Sequence, residues 1–243
     1  MKRRSGLSLI ELLVVVIIIG LLIAVLMPSL RHGPWPAKKA ICGANLRAIG
    51  MATALYAANF DDYLPVPGQV GAKWLCDLPR ASRDALYMTR SDHFGPMTPA
   101  NIVKLFYCPG NSMQDPTKLW NDLLTPTVGY AWMGQREGLP DILIPLPPLS
   151  RQVELHEKYN ATKNPSEAEL AFDWIITTDA ASRDFESVKR GADTFSTSHM
   201  NGIRPAGENV QCFDGHVEWR PWTDERKAVA IQCDGAAFWV VNP

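Results

Sequence analysis

Twenty-one residues, Leu7–Met27, form an apolar run interrupted only by Ser8, Glu11 and Gly20. Wound as a helix at 1.5 Å per residue, the run is roughly 31 Å long, close to a hydrocarbon core of about 30 Å. Lys2, Arg3 and Arg4 precede it. Positive charge stays on the cytoplasmic side, so the orientation expected is N-terminus inside and the bulk of the chain outside. A cleavable secretory signal would have a shorter apolar core and an Ala-x-Ala-like site, and neither is present. A buried core helix would be shorter. A plain anchor accounts for the length and the flanking charge, but not for Glu11.

A carboxylate at membrane depth costs on the order of 2.5–3.5 kcal/mol on insertion scales. Its natural partner is a cation at the same depth. Cleavage between Gly6 and Leu7 would create one, the α-amino group of Leu7. In a staggered bundle of helices, that amine from one subunit meets Glu11 of its neighbour.

Gly6-Leu-Ser-Leu-Ile-Glu11, followed by the apolar run, resembles the prepilin cleavage and methylation motif of type IV pilins and type II secretion pseudopilins. The resemblance implies a membrane-embedded prepilin peptidase that cuts after Gly6 and methylates Leu7. It implies Glu11 as the assembly residue. The usual first mature residue is Phe, and Leu7 departs from this while staying large and apolar. Pro28, the twenty-second residue from Leu7, matches a proline common in such helices. With Gly20 it marks where the helix is expected to kink or open, since proline lacks a donor and crowds the preceding turn.

Arg31-His-Gly-Pro-Trp-Pro36 is expected to break the helix. A second helix is expected over 37–60. Cys42, Leu46, Ile49, Thr53, Tyr56 and Phe60 form one face, and small residues beside it suit close packing on a sheet. Cys42-Gly-Ala-Asn-Leu46, Asp62-Tyr-Leu-Pro65 and Phe106-Tyr-Cys108-Pro109 resemble elements of a large bacterial prepilin-like group. That group also carries a C-terminal His…Asp-Gly signature.

The prolines of Leu139–Leu149 exclude a helix or central strand and leave a surface loop or edge segment. Leu170–Thr177 reads as one strand, with Asp173 and Asp179 as turn or edge residues. Residues 208–220 read as a hairpin with a two-residue type I′ turn at Asp214-Gly215. Its expected pairs are Phe213–His216, Cys212–Val217, Gln211–Glu218 and Val210–Trp219. Val210, Cys212, Val217 and Trp219 would then share one apolar face.

His199, Asn201, Asp214 and His216 form the cluster with chemical potential in the sequence. It resembles the group's His-x9-Asp-Gly element, but fourteen residues separate His199 from Asp214 here. Calcium, which some pseudopilins bind, takes six or more oxygen ligands, and histidine suits it poorly. Asp214 is therefore expected to make the turn and His199 to hydrogen-bond a loop. No metal and no cofactor is expected. All five cysteines follow the apolar run, on the side where disulfides are permitted. The odd count leaves one thiol over. Cys212 with Cys233, expected on neighbouring strands, is one candidate disulfide and Cys42 with Cys108 another, with the connectivity open.

The expected fold is α+β and pilin-like. It comprises a leader over 1–6, a transmembrane helix over 7–30, a break over 31–36, and a second helix packed on an antiparallel sheet within an ectodomain over 61–243. The formal net charge is −1, with the N-terminal cations included, so the remainder is mildly acidic and no nucleic-acid partner is expected. The expected role is a structural subunit of a type II secretion or type IV pilus-like filament, not an enzyme. The site is the cytoplasmic membrane, with the ectodomain periplasmic or extracellular. The expected partners are prepilin peptidase, other pilin-like subunits, membrane lipid and secreted cargo. The alternatives are a membrane-tethered extracytoplasmic binding protein that is processed but does not polymerise, and an enzyme with a metal around His199, Asp214 and His216.

Overall fold

The computed structural model describes residues 9–32, 34–65, 74–78, 82, 86, 103–111, 113–120, 127–134, 142–143, 153–190, 193–223, 228–233 and 235–241. The chain divides into two compact units, Met1–Ala37 and Lys38–Pro243. The first unit is dominated by α1 (Leu9–His32), whose helical assignment runs through both Gly20 and Pro28. Proline at 28 supplies no N–H to the carbonyl of Ala24, so one rung of the ladder is absent there. Helix α2 covers Pro34–Asn59.

Residues on both sides of Gly33 within the expected break 31–36 are helical. Arg31 and His32 end α1, Pro34–Pro36 begin α2, and Gly33 lies outside the described residues. A helix tolerates proline in its first turn because the N–H groups there have no intrahelical partner.

The fold is α+β. Among the described residues the strands are β1 (Tyr130–Trp132), β2 (Ile142–Leu143), β3 (Val153–Glu154), β4 (Glu169–Asp173), β5 (Ile176–Thr177), β6 (Val188–Arg190), β7 (Asp193–Phe195), β8 (Met200–Asn201), β9 (Arg204–Pro205), β10 (Gly207–Cys212), β11 (Val217–Pro221), β12 (Ala228–Cys233) and β13 (Ala236–Val241). The main sheet is antiparallel in the order β1-β4-β10-β11, and a second has the order β12-β13-β5. Among the described residues, Ile142 and Leu143, inside the proline-rich stretch, make a two-residue pair with β3.

Leu170–Thr177 is not one strand. It leaves the main sheet after Asp173, passes through Trp174 and Ile175, and joins the second sheet as β5. One apolar run thus serves two sheets, and Trp174, Ile175 and Ile176 are all buried at the crossing. Trp74, Trp132 and Trp174 are among the largest buried side chains. Trp74 and Trp174 both meet Phe195 edge-on.

The expected face of α2 is buried at Cys42, Leu46, Ile49 and Thr53. Tyr56 is partly buried, and Phe60 is exposed and stacks on Tyr56 at 4.3 Å. Helix α2 lies on the main sheet. Asn45 Nδ2 donates to Tyr130 Oη of β1 (3.2 Å), and Asn209 Nδ2 of β10 donates to the Lys39 carbonyl (3.3 Å).

The hairpin forms, with a register one residue away from that expected. Asn209 pairs with Trp219, Val210 with Glu218 and Gln211 with Val217. The loop has three residues, Phe213–Gly215. Gly215 N donates to the Cys212 carbonyl and Cys212 N to the His216 carbonyl. Gly215 takes φ +90°, the left-handed residue that follows a type I turn in such loops. The extra residue moves every pairing by one. Val217 and Trp219 therefore share a face with Asn209 and Gln211, not with Val210 and Cys212.

Candidate functional site

Two places carry candidate chemistry. The first is α1. Glu11 is exposed in its first turn, where a carboxylate complements the positive end of the helix dipole. Around it the large apolar side chains from Leu9 to Ile23 are exposed by 47–83%. Gly6 and Leu7 lie outside the described residues, as does the side chain of Pro28. No helix, over the described residues, is long and apolar enough to cross a membrane. Side chains of α1 are described only as far as Ile23.

The second place is a buried cluster in Lys38–Pro243. Cys42 from α2, Cys108 from the Phe106–Gly110 turn, Asp173 from the end of β4 and His199 from the loop before β8 offer ligand atoms that all lie within 4.8 Å of one another. His199 Nε2 is 3.3 Å from Cys108 Sγ and 3.1 Å from Asp173 Oδ2. Each partner is held by its surroundings. Asn209 donates to Asp173 Oδ2 from its backbone N (2.9 Å) and from Nδ2 (2.7 Å). Gln114 Oε1 accepts from Cys108 N (3.0 Å), and Gly110 N donates to Cys108 Sγ (3.3 Å). Asn111 Nδ2 donates to the Ser196 carbonyl (2.7 Å), tying the cysteine turn to the strand end that leads to His199.

His199 itself has φ +51°, a left-handed backbone that a non-glycine residue adopts only when its surroundings impose it. Gly110 is required by space. A Cβ there would lie 2.6 Å from His199 Nδ1 and 3.2 Å from Cys108 Sγ.

Burial opposes a charge on the His199 ring, but hydrogen bonds to Asp173 and Cys42 outweigh it and hold the pKa up at about 10. Burial also opposes ionisation of Cys42, yet hydrogen bonds from Cys108 and His199 bring that thiol below its ordinary value. Burial, and then the neighbouring Cys42, push Cys108 well above its own.

The sequence residues sort differently from expectation. Asp173 is not a turn or edge residue but a fully buried carboxylate. His199 groups with Cys42, Cys108 and Asp173, not with Asp214 and His216. Asp214 and His216 sit at the hairpin tip, with Asp214 Oδ1 2.6 Å from His216 Nδ1. Asn201 pairs with Arg204 across β8 and β9. Asp179 is a turn residue as expected, with Oδ1 accepting from Ala181 N and Ser182 N.

Neither candidate disulfide, Cys42–Cys108 or Cys212–Cys233, is formed. Cys212 and Cys233 belong to different sheets, so they are not on neighbouring strands. Cys212, His216 and Glu218 also approach one another, but His216 is engaged by Asp214 and Glu218 by Arg220 Nε (2.7 Å). Burial raises the Cys212 thiol to about 12. The buried four-residue cluster was missed because its members are scattered over 42–199 with no CxxC spacing. The local signal was Cys108-Pro-Gly110, where glycine lets a backbone N–H reach the sulfur.

The prokaryotic N-terminal methylation motif matches residues 1–27. The chain is 32% identical over 78 residues to the type II secretion system core protein G of Pseudomonas aeruginosa. That alignment covers 32% of this chain and 54% of the relative, so the chain spans about half the length of the curated relative it matches. No solved structure matches the chain. The N-terminal segment thus carries the prepilin methylation motif and is similar to a type II secretion pseudopilin.

Proposed function

We propose that this chain is a structural pseudopilin-like subunit of a type II secretion or type IV pilus-like filament. Prepilin peptidase removes Met1–Gly6 and methylates Leu7. The helix then inserts in the cytoplasmic membrane with its N-terminus inside, and packs against other pilin-like subunits. The folded domain faces outward, where it meets envelope partners or secreted cargo. Its role is assembly and contact, not catalysis.

The observation that carries this is the N-terminal motif on an all-round apolar helix. A helix apolar on every face needs an apolar surround, lipid or other helices. The run Leu7–Met27 has the length for lipid, and Glu11 inside it calls for a cation that cleavage at Gly6 supplies. Mass spectrometry of the chain from peptidase-positive cells tests it. The expected N-terminus is methylated Leu7, and substitution of Gly6 by a bulky residue should leave Met1–Gly6 attached. An uncut wild-type chain in such cells would overturn the assignment.

A further inference from the structure

We propose that Cys42, Cys108, Asp173 and His199 bind a Zn²⁺ ion in a closed, four-ligand structural site. The ligand atoms are close enough together to share one ion, and two of their separations are near the edges of the required figure. Tetrahedral zinc with bonds of about 2.0–2.3 Å has ligand–ligand edges of roughly 3.3–3.8 Å. His199 Nε2 stands 3.3 Å from Cys108 Sγ and 3.1 Å from Asp173 Oδ2, and the whole set spans no more than 4.8 Å. All four side chains are buried, which fits a structural ion with no open coordination position.

Independent features point to a cation. Oδ2 of Asp173 faces His199, while its other oxygen, Oδ1, is buried with no hydrogen-bond partner among the described residues, so the carboxylate is short of a donor on that side. A buried carboxylate oxygen without a donor is costly unless an ion meets it. The Gly110 N–H directed at Cys108 Sγ stabilises a thiolate, as hydrogen bonds to a metal-bound sulfur do. Both Asn209 donors fix the carboxylate, and Gln114 fixes the backbone of Cys108. His199 accepts a left-handed backbone, and position 110 does without a side chain, where the ring and the sulfur converge.

The donor set selects the metal. Two sulfurs exclude calcium and magnesium, which take oxygen. An iron–sulfur cluster would take four cysteines, or two cysteines with two histidines, and this set has one histidine. Two thiolates, one imidazole and one carboxylate in four-coordinate geometry suit zinc. A surface cavity of about 300 Å³, lined by Asn45, Cys108, Pro109, Asn111 and Gln114 among others, gives the ion a way in. Once bound, zinc would staple α2 to the end of β4, the cysteine turn and the 196–199 loop. The assignment concerns the folded domain and stands apart from whether the chain polymerises.

The test uses the full chain, purified in detergent with reductant and without chelator. Elemental analysis should find about one zinc per chain. Cys42→Ser and Asp173→Asn should each lower occupancy at least tenfold, while Cys212→Ser keeps it. Because those variants can misfold, the wild-type chain carries a second measurement. Chelation should expose two further reactive thiols, and cobalt in place of zinc should give the charge-transfer and d–d bands of a tetrahedral thiolate site. A Cys42–Cys108 disulfide in the chain purified without reductant overturns the proposal. So does a chain that stays metal-free after incubation with Zn²⁺, or a cobalt spectrum unchanged in Cys42→Ser.

Discussion

Gly50 shows how a single missing side chain sets the packing of α2 on the sheet. A Cβ there would lie 1.8 Å from Gln211 Nε2 and 2.3 Å from Cδ, and Gln211 is 1% exposed with little room to turn away. Gly50→Ala would gain about 1 kcal/mol of helix propensity. It would lose more, since overpacking a filled interior costs roughly 1–3 kcal/mol and Gln211 would be driven from its place. The expected net is destabilisation by about 1 kcal/mol, read as a lower denaturation midpoint of the full chain by tryptophan fluorescence. Gly20→Ala, whose Cβ meets nothing within 4 Å, should not lower that midpoint. Single residues were legible in the sequence where their role is local. Asp179 makes its turn from its own neighbours, and Cys42, Leu46, Ile49 and Thr53 follow from helical spacing. Asp173 was not legible, because what makes it special is Asn209, His199 and two sulfurs brought from elsewhere in the chain.

At the scale of elements, the β10–β11 hairpin was legible as an element and misplaced by one residue. Asp214-Gly215 signals a turn, but a two-residue loop and a three-residue loop with glycine at its end share that signal. What decides between them is the far face. Gly43 and Gly50 of α2 leave room for Asn209 and Gln211, so polar residues take positions that alternation alone would reserve for apolar ones. The opposite face of β10 meets the end of β13. There Glu208 Oε1 accepts from Val241 N (2.6 Å), while Arg220 Nη1 donates to Glu169 Oε1 (2.6 Å) and to the Val241 carbonyl (2.8 Å). Burial drives the Glu208 carboxyl well above the usual carboxylate range, against the opposing pull of the Val241 N–H and Arg220. The folded state then keeps a proton that the unfolded chain releases. Glu208 therefore contributes stability that is fully present below the ordinary glutamate pKa and is lost as pH rises through the higher folded value. The expected slope is at most about 1.4 kcal/mol per pH unit from this group. Denaturant titrations of the wild type and Glu208→Gln from about pH 4.5 upward should show this component of the decline in the wild type alone.

For the molecule as a whole, the two ends of the chain were legible to different depths for a physical reason. An apolar run, a glycine and a glutamate at fixed spacing form a pattern along one dimension. The linear pattern is therefore sufficient to recognise them. The buried cluster exists only after four distant segments have folded together. Glu11 separates a filament subunit from a processed tether, since a tether needs an anchor but no inter-subunit pair. In a monomeric helix an acid at membrane depth is a cost of about 2.5–3.5 kcal/mol. Paired with the amine of Leu7 from a neighbouring subunit, that cost is offset by contact between chains. Glu11→Ala should therefore insert at least as well as the wild type and, under the proposed cleavage after Gly6, still lose its leader. Cross-linking of the variant in membranes should yield at least tenfold fewer subunit pairs, which converts to about 1.4 kcal/mol or more of lost association. Equal cross-linking in the two proteins would assign Glu11 no part in assembly and favour the tether. Loss of the variant from the membrane fraction would mean that Glu11 serves insertion instead, and would detach the methylation motif from filament formation in this chain.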